Sequence, residues 1–259
     1  MIVAESARRW AVCGTAALVF AGLAARAAAG PPFITDDPEP VPLHDYEFYI
    51  GSSYFHTKGG TVGDVPHFEF NYGAEPDLQL HIIAPVAFEQ AAGSRMQCGY
   101  GDTELGAKYR FVQEGKSTPM VGVFPLVEVP TGDANSGLGN GKAQIFLPVW
   151  LQKSSGAWMS YGGGGFWHNP GTGNKDYWFF GLEVQNQVTK QLALGVELFH
   201  STATPTVDGS AQTGFNVGAM YDFDDGHHLL FSVGRGFESD NVLTAYLAYQ
   251  WTFGPKSKE

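Results

Sequence analysis

Apolar and polar residues alternate one by one through most of this chain, and the alternation stops and restarts at regular intervals. Over 243–253, Leu243, Ala245, Leu247, Tyr249, Trp251 and Phe253 fall on one face of an extended backbone, and Thr244, Tyr246, Ala248, Gln250 and Thr252 on the other. A period of two with one apolar face is the signature of a β-strand. Near the other end, Phe68, Phe70 and Tyr72 alternate with His67, Glu69 and Asn71. Leu78, Leu80, Ile82, Ala84, Val86 and Phe88 then oppose Gln79, His81 and Glu89, and Thr103, Leu105, Ala107, Tyr109 and Phe111 oppose Glu104, Gly106, Lys108 and Arg110. Further strands are predicted near 45–56, 119–129, 144–153, 157–168, 176–187, 191–200, 212–222 and 227–236, which brings the total to twelve. Their lengths suit the roughly 9–11 residues that a tilted strand needs to cross a bilayer.

The links between strands sort into two kinds. Ala74 to Pro76, Glu114 to Thr118, Ser154 to Gly156, Val188 to Lys190 and Phe223 to Gly226 are short. Those after odd-numbered strands are mostly longer and rich in Gly, Asn, Asp and Ser, as in Ala91 to Gly101, Pro130 to Ala143 and Ser201 to Ala211. Tight turns alternating with free loops are what a membrane barrel produces on its periplasmic and outer sides. The expected fold is therefore all-β, a transmembrane antiparallel up-and-down β-barrel of about 12 strands spanning 44–253.

What precedes the strands fits export. Arg8 and Arg9 stand before an apolar stretch from Ala11 to Ala24, and Ala27-Ala28-Ala29 supplies small residues for cleavage, so 1–29 reads as a signal peptide. The apolar stretch is shorter than the ~20 residues of a spanning helix. Cys98 is then the single cysteine beyond the signal, which excludes an internal disulfide. Residues 30–43 carry Pro38, Pro40 and Pro42 and form a stiff extended segment, either a plug inside the barrel or a periplasmic tether. A short tail, 254–259, follows the last strand.

Charge then narrows the partners. The formal net charge is −11, and losing three arginines and one glutamate with the signal takes it to −13. This argues against nucleic acid. Charged residues make up 16% of the chain, against ~25% in ordinary soluble proteins, so the polar faces are too sparsely charged for a water-facing surface. They suit a confined wet lumen, with the apolar faces against outer-membrane lipid. Trp158, Trp167, Tyr177, Trp178, Tyr246, Tyr249 and Trp251 near strand ends read as interfacial girdles.

Three stretches are similar to a known family: Gly30 to Pro40 (GPPFITDDPEP), Gly101 to Phe111 (GDTELGAKYRF) and Phe124 to Asp133 (FPLVEVPTGD). They resemble outer-membrane β-barrels labelled as transporters of the phenol meta-degradation pathway, and the resemblance runs over most of the exported chain. It implies a barrel in the cell outer membrane and directs attention to aromatic solutes, and it brings no catalytic residues. Many barrels of this kind end on the aromatic residue itself, whereas here Gly254 to Glu259 follow Phe253. The last strand is the expected contact with barrel-assembly machinery.

Ionised groups cannot face hydrocarbon cheaply, so Glu47, Glu69, Glu104, Lys108, Arg110, Glu128, Glu183 and Glu197 are expected to line the lumen. Either Lys108 and Arg110 pair with carboxylates on neighbouring strands and brace the wall, or surplus glutamates form an acidic path that favours cations or hydroxylated solutes. Phe179, Phe199 and Tyr246, on the same register, could add an apolar path. No cofactor and no metal is expected: His227 and His228 are adjacent and point to opposite faces, and the acidic runs Asp36-Asp37 and Asp222 to Asp225 lack calcium-loop spacing. Gly137 to Lys142 is followed by Ala143 where a nucleotide loop needs Ser or Thr, and Gly162 to Gly165 suits a bulge or close approach by a bulky neighbour. The chain is thus expected to be no enzyme but a passive channel or uptake protein for small solutes, hydrophobic or aromatic compounds among them. The alternatives are a lipid hydrolase built on His200 and Ser201, which lack an identifiable third group, and a structural or adhesive barrel.

Overall fold

The structure, a computed structural model, describes residues 31–171, 173–203, 211–237 and 243–255; the expected signal peptide and most of the tail lie outside them. Among these residues the strands in chain order are β1 (Tyr46–Thr57), β2 (Gly60–Glu75), β3 (Leu78–Ala91), β4 (Gln97–Tyr100), β5 (Thr103–Val112), β6 (Met120–Val123), β7 (Leu126–Val129), β8 (Gln144–Ser155), β9 (Trp158–His168), β10 (Tyr177–Gln187), β11 (Leu192–Ser201), β12 (Gln212–Asp222), β13 (His227–Gly236) and β14 (Leu243–Phe253). Every pairing is antiparallel. β1 pairs with β14, Tyr46 opposite Phe253 through His56 opposite Leu243, so the sheet closes on itself. Closure leaves no open edge in the wall, which is the condition for strands to stand in hydrocarbon.

The wall has twelve staves, because β6 and β7 share one, lying together between β5 and β8, and β4 is an upper extension of the β3 hairpin. Both departures from the sequence expectation have local causes. The stave predicted as continuous over 119–129 breaks at Phe124-Pro125: proline has no N–H for the ladder, and Phe124 turns inward to 4% exposure. Residues 97–100, expected in a loop, pair instead with Val86–Glu89, because β3 runs on to Ala91. The link after β1 is also tight, with only Lys58 and Gly59 between strands.

The faces are inverted relative to a soluble barrel. Leu182 is 53% exposed on the outside, whereas its neighbour Glu183, pointing in, is fully buried. The same holds along β2, where Phe68 and Phe70 look out while His67, Glu69 and Asn71 are buried, and along β11, where Leu194, Val196 and Leu198 look out and Glu197 is buried. An apolar outer band around a polar interior places the barrel in a membrane, and closed antiparallel barrels of this kind are those of outer membranes. At the short-turn end, Tyr46 stacks on Tyr72 and on Phe253 at 4.8 and 5.2 Å between ring centroids, adding aromatic contact at the closing seam. The girdle expectation needs correcting by strand parity. Trp158, Trp178, Tyr249 and Trp251 face out, but Trp167 and Tyr246 line the interior, and Tyr177 shares the inward register of Phe179.

The run of four glycines contains no bulge, since β9 keeps register with both neighbours. Gly163 and Gly165 face inward, directly across from Trp150 and Pro148 on β8. A Cβ on Gly163 would lie 3.0 Å from the Trp150 ring, and one on Gly165 would lie 2.6 Å from that of Phe146. The glycines are bare so that large rings can lie across the wall.

Replacing outward Leu182 with Arg should cost about 2–4 kcal/mol of folding stability, because it puts a charge against hydrocarbon at mid-strand. Equilibrium unfolding in lipid vesicles measures this; an unchanged midpoint would mean that this face does not meet lipid.

Candidate functional site

A barrel of twelve strands lies between the ~8 whose interior wall side chains fill and the ~16 that leave an aqueous channel. Here residues 31–42 run inside it, and His44 stands exposed at the short-turn rim against Tyr72. Thr35 and Asp37 are fully buried, and Phe33 and Val41 nearly so. The prolines keep this segment extended and take backbone donors out of play. The donors that remain are met by the wall. Glu197 on β11 accepts from the Thr35 backbone N–H at 2.5 Å, the Thr35 hydroxyl at 2.6 Å and the Ile34 N–H at 3.2 Å, and also takes the Asn216 amide at 2.6 Å. Ser232 donates to the Pro32 carbonyl at 2.5 Å, the Val41 N–H donates to Gln79 at 2.9 Å, and Gln152 donates to Glu39 at 3.0 Å.

Lys108 provides the ionic tie. Its ammonium lies 2.9 Å from Asp36 and 3.2 Å from Asp37, and 5.0 Å above the centroid of the Phe124 ring. Phe33 is seated over glycines: a Cβ on Gly195 or Gly218 would lie 2.7 or 2.8 Å from its ring.

The segment packs to one side and leaves a cavity of about 1010 Å³ along the rest of the lumen. Its lining reaches from Asp225 and Thr252 at the short-turn end to Ser53, Asp64 and Trp167 toward the long loops. One wall is acidic. Glu47 accepts from the Tyr49 hydroxyl at 2.8 Å, Glu69 from the Asn71 amide at 2.8 Å, and Glu104 lies 2.9 Å from Nε2 of His81. The facing wall is a packed group of rings, Phe124, Phe146, Trp150 and Phe179, with Trp167 stacked on Phe146 at 4.6 Å.

The eight residues singled out in sequence thus divide into four groups. Glu47, Glu69, Glu104 and Lys108 line the cavity. Glu197, with Lys108, holds the N-terminal segment. Lys108 is not paired with a neighbouring strand as expected, because the segment brings Asp36 and Asp37 into the lumen beside it. Arg110 sits at the short-turn end, where its Nε donates to Asp77 at 2.9 Å and Nη2 to the Pro76 carbonyl at 3.3 Å, bracing the β2–β3 turn. Glu128 faces Glu104 across β5 and β7 but is not part of the cavity lining, and neither is Glu183. Glu183 is wholly buried beside Tyr161 and Glu197 and has no hydrogen-bond partner among the described residues. Of the apolar residues on this register, Phe179 and Tyr246 line the cavity, and Phe199 is buried in the ring cluster. The pair considered for hydrolysis is divided by strand parity, and His200 is engaged by the Thr213 hydroxyl at 3.0 Å.

A closed twelve-stave barrel with an apolar exterior, a polar lumen and an inward-folded leader is a transmembrane barrel of the outer-membrane type. The chain matches the family described as "Putative MetA-pathway of phenol degradation" over residues 49–253, and it belongs to that family. Among solved structures it is similar to the COG4313 outer membrane channel from Pseudomonas putida F1, at 18% identity and a TM-score of 0.65, covering 84% of this chain and 98% of that one. It is also similar to the KdgM porin in complex with disordered oligogalacturonate, at 10% identity and a TM-score of 0.54, covering 79% of this chain and 99% of the porin. The translocator domain of autotransporter NalP from Neisseria meningitidis aligns at 9% identity and a TM-score of 0.52, covering 84% and 90%. At such identities the likeness is one of fold. No curated protein matches the chain.

Removing the Lys108 charge as Lys108→Met leaves buried Asp37 and half-buried Asp36 without their counter-ion, a loss of about 3–5 kcal/mol in such settings. The segment should leave the lumen, and protease should then cut within 31–45 in the folded variant but not in the parent. Equal resistance would show that the ion pair does not hold it.

Proposed function

We propose that the chain is a passive, cation-preferring conduit for small solutes across the outer membrane, aromatic compounds among them, and that it carries out no reaction on them. The observation that carries this reading is the charge of the cavity lining. Asp36, Glu39, Asp45, Glu47, Asp64, Glu69, Glu104 and Asp225 contribute to it, and Lys108, already bound to Asp36 and Asp37, is the one Lys or Arg that lines it among the described residues. Acidic groups in a narrow, low-dielectric passage raise the local concentration of cations and repel anions. The ring cluster is itself nearly buried and presents its partly buried members, Leu126 and Trp167, as the apolar side of the passage. Resemblance to channels and porins in fold supports the reading, as does membership of a family associated with phenol degradation. The tight fit of 31–45 points to a small or gated path rather than a wide bore.

Planar-bilayer recording tests this. The protein should conduct in small steps, with a reversal potential in a salt gradient on the cation-selective side, and the triple variant Glu47→Gln, Glu69→Gln, Glu104→Gln should move that potential toward zero. Deleting 31–43 should raise the unit conductance severalfold. A silent bilayer from correctly folded protein, with or without the segment, would overturn the proposal.

A further inference from the structure

We propose that residues 130–143, the link from β7 to β8, form a strap inside the rim of the outer mouth, that Asp102 seats it, and that lifting it opens the lumen to solutes from outside. The inference rests on the conduit reading for what passes, and adds where and by which residue the passage is closed.

The place of the strap follows from the inward register of β3. Gln79, His81 and Ile83 line the cavity, so Pro85, Ala87 and Glu89 share that inward register closer to the long loops. Ala87 pairs with Gly99 of β4, which puts Gly99 on the same inner face. Leu138 lies on this face: a Cβ on Gly99 would be 3.0 Å from its Cδ1, and a Cβ on Gly137 would run into the Glu89 carboxyl. The link therefore doubles back inside the rim instead of standing out from it. On its other side the Asn140 amide donates to the Pro170 carbonyl at 3.0 Å and accepts from the Asn174 amide at 2.6 Å. It thus reaches from the β3–β4 hairpin to the link between β9 and β10.

A single carboxylate seats it. Asp102, in the two-residue link between β4 and β5, accepts the Gly132 N–H at 2.9 Å on one oxygen and the Asn140 N–H at 2.7 Å on the other. Both ends of the strap are tied at that point, by hydrogen bonds to an ionised acceptor, which are the stronger kind. Beside it the Thr131 hydroxyl donates to the Gly101 carbonyl at 2.8 Å and accepts the Thr103 N–H at 2.9 Å. The glycines make the fit close: a Cβ on Gly139 would collide with the Asp102 carboxylate, and one on Gly132 with the Leu138 carbonyl. Gly101-Asp102-Thr103, Thr131-Gly132 and Gly137 to Gly141, none of which lines the cavity, acquire one common role in this clasp.

The strap is also the part of the passage best able to move. Of residues 131–143 only Leu138 is buried, and the remaining ties are hydrogen bonds at the rim. An element with one apolar anchor opens locally while the closed ladder behind it stays intact. The N-terminal segment, by contrast, is held deep in the lumen by buried Glu197 and Lys108.

The test uses the full-length exported protein with Cys98, the one cysteine beyond the signal, replaced as Cys98→Ser. In that background Gly99→Cys with Leu138→Cys places two thiols where Leu138 meets Gly99, and oxidation should lock the strap. In planar bilayers the oxidised pair should lose most of its conductance, and reductant should restore it. In a second variant, Ala87→Cys lies beneath the strap. A bulky, impermeant polyethylene-glycol maleimide added outside whole cells should label it about tenfold or more faster when Asp102→Ala is also present, since two charge-assisted hydrogen bonds are then lost. Equal conductance before and after reduction, failure of the pair to form a disulfide, or equal labelling with and without Asp102 overturns the strap. If Asp102→Ala does not fold, the disulfide pair, made with the clasp intact, decides alone. A reduced protein that is silent in the bilayer loses the conduit reading, and the labelling rates then decide whether Asp102 holds the mouth closed.

Discussion

Hydrocarbon offers no hydrogen bonds, and the rest of this molecule follows from that constraint. It requires the ladder to close, which β1 and β14 accomplish. It requires ionisable side chains to turn inward, so that Glu69, Glu104, Lys108, Glu183 and Glu197 gather in a space only a few side chains across. Leaving such carboxylates dry and unpaired is costly, and of these four only Glu183 is left so among the described residues. The N-terminal segment answers this by offering N–H groups and the Thr35 hydroxyl to Glu197, and by offering two carboxylates to Lys108, which would otherwise be a buried, unmatched cation. Lumen and segment complete each other's hydrogen bonding in the way that the two strands of a hairpin do.

The wall was largely legible from alternation alone, because a period of two is a local property and each strand states it independently. The twelve staves, their boundaries to within a few residues and the inversion of faces all follow from residues such as Leu182 beside Glu183. Pro125 is the local sign of the break in that stave, since a proline inside a strand argues against an unbroken ladder. Parity also decides between girdle and lumen for aromatics: Trp167 and Trp178 lie near the same rim yet face opposite ways, a distinction that proximity to a strand end conceals.

The interior was less legible, since it depends on contacts between residues far apart in sequence. Glu197 and Thr35 are separated by 162 positions, and nothing local to either reveals the other. A signal did exist. Gly195 and Gly218 stand opposite each other on the inward face, and a missing side chain on a buried face means that something else occupies the space; here it is Phe33. Those bare inward positions favour a plug over a tether. The same logic explains Gly163 and Gly165, whose bareness admits the rings of Trp150 and Phe146.

The path of the N-terminal segment also bears on the order in which the molecule can be put together. Residues 31–45 precede the whole wall, yet the groups that bind them include Glu197 and Ser232, on staves near the far end of the chain. The first part of the barrel to be made must therefore wait for nearly the last before it has anywhere to dock. Seating of the segment and zipping of the β1–β14 seam then belong to one closing event, and a barrel caught before it would hold an unclothed ring of acids around water.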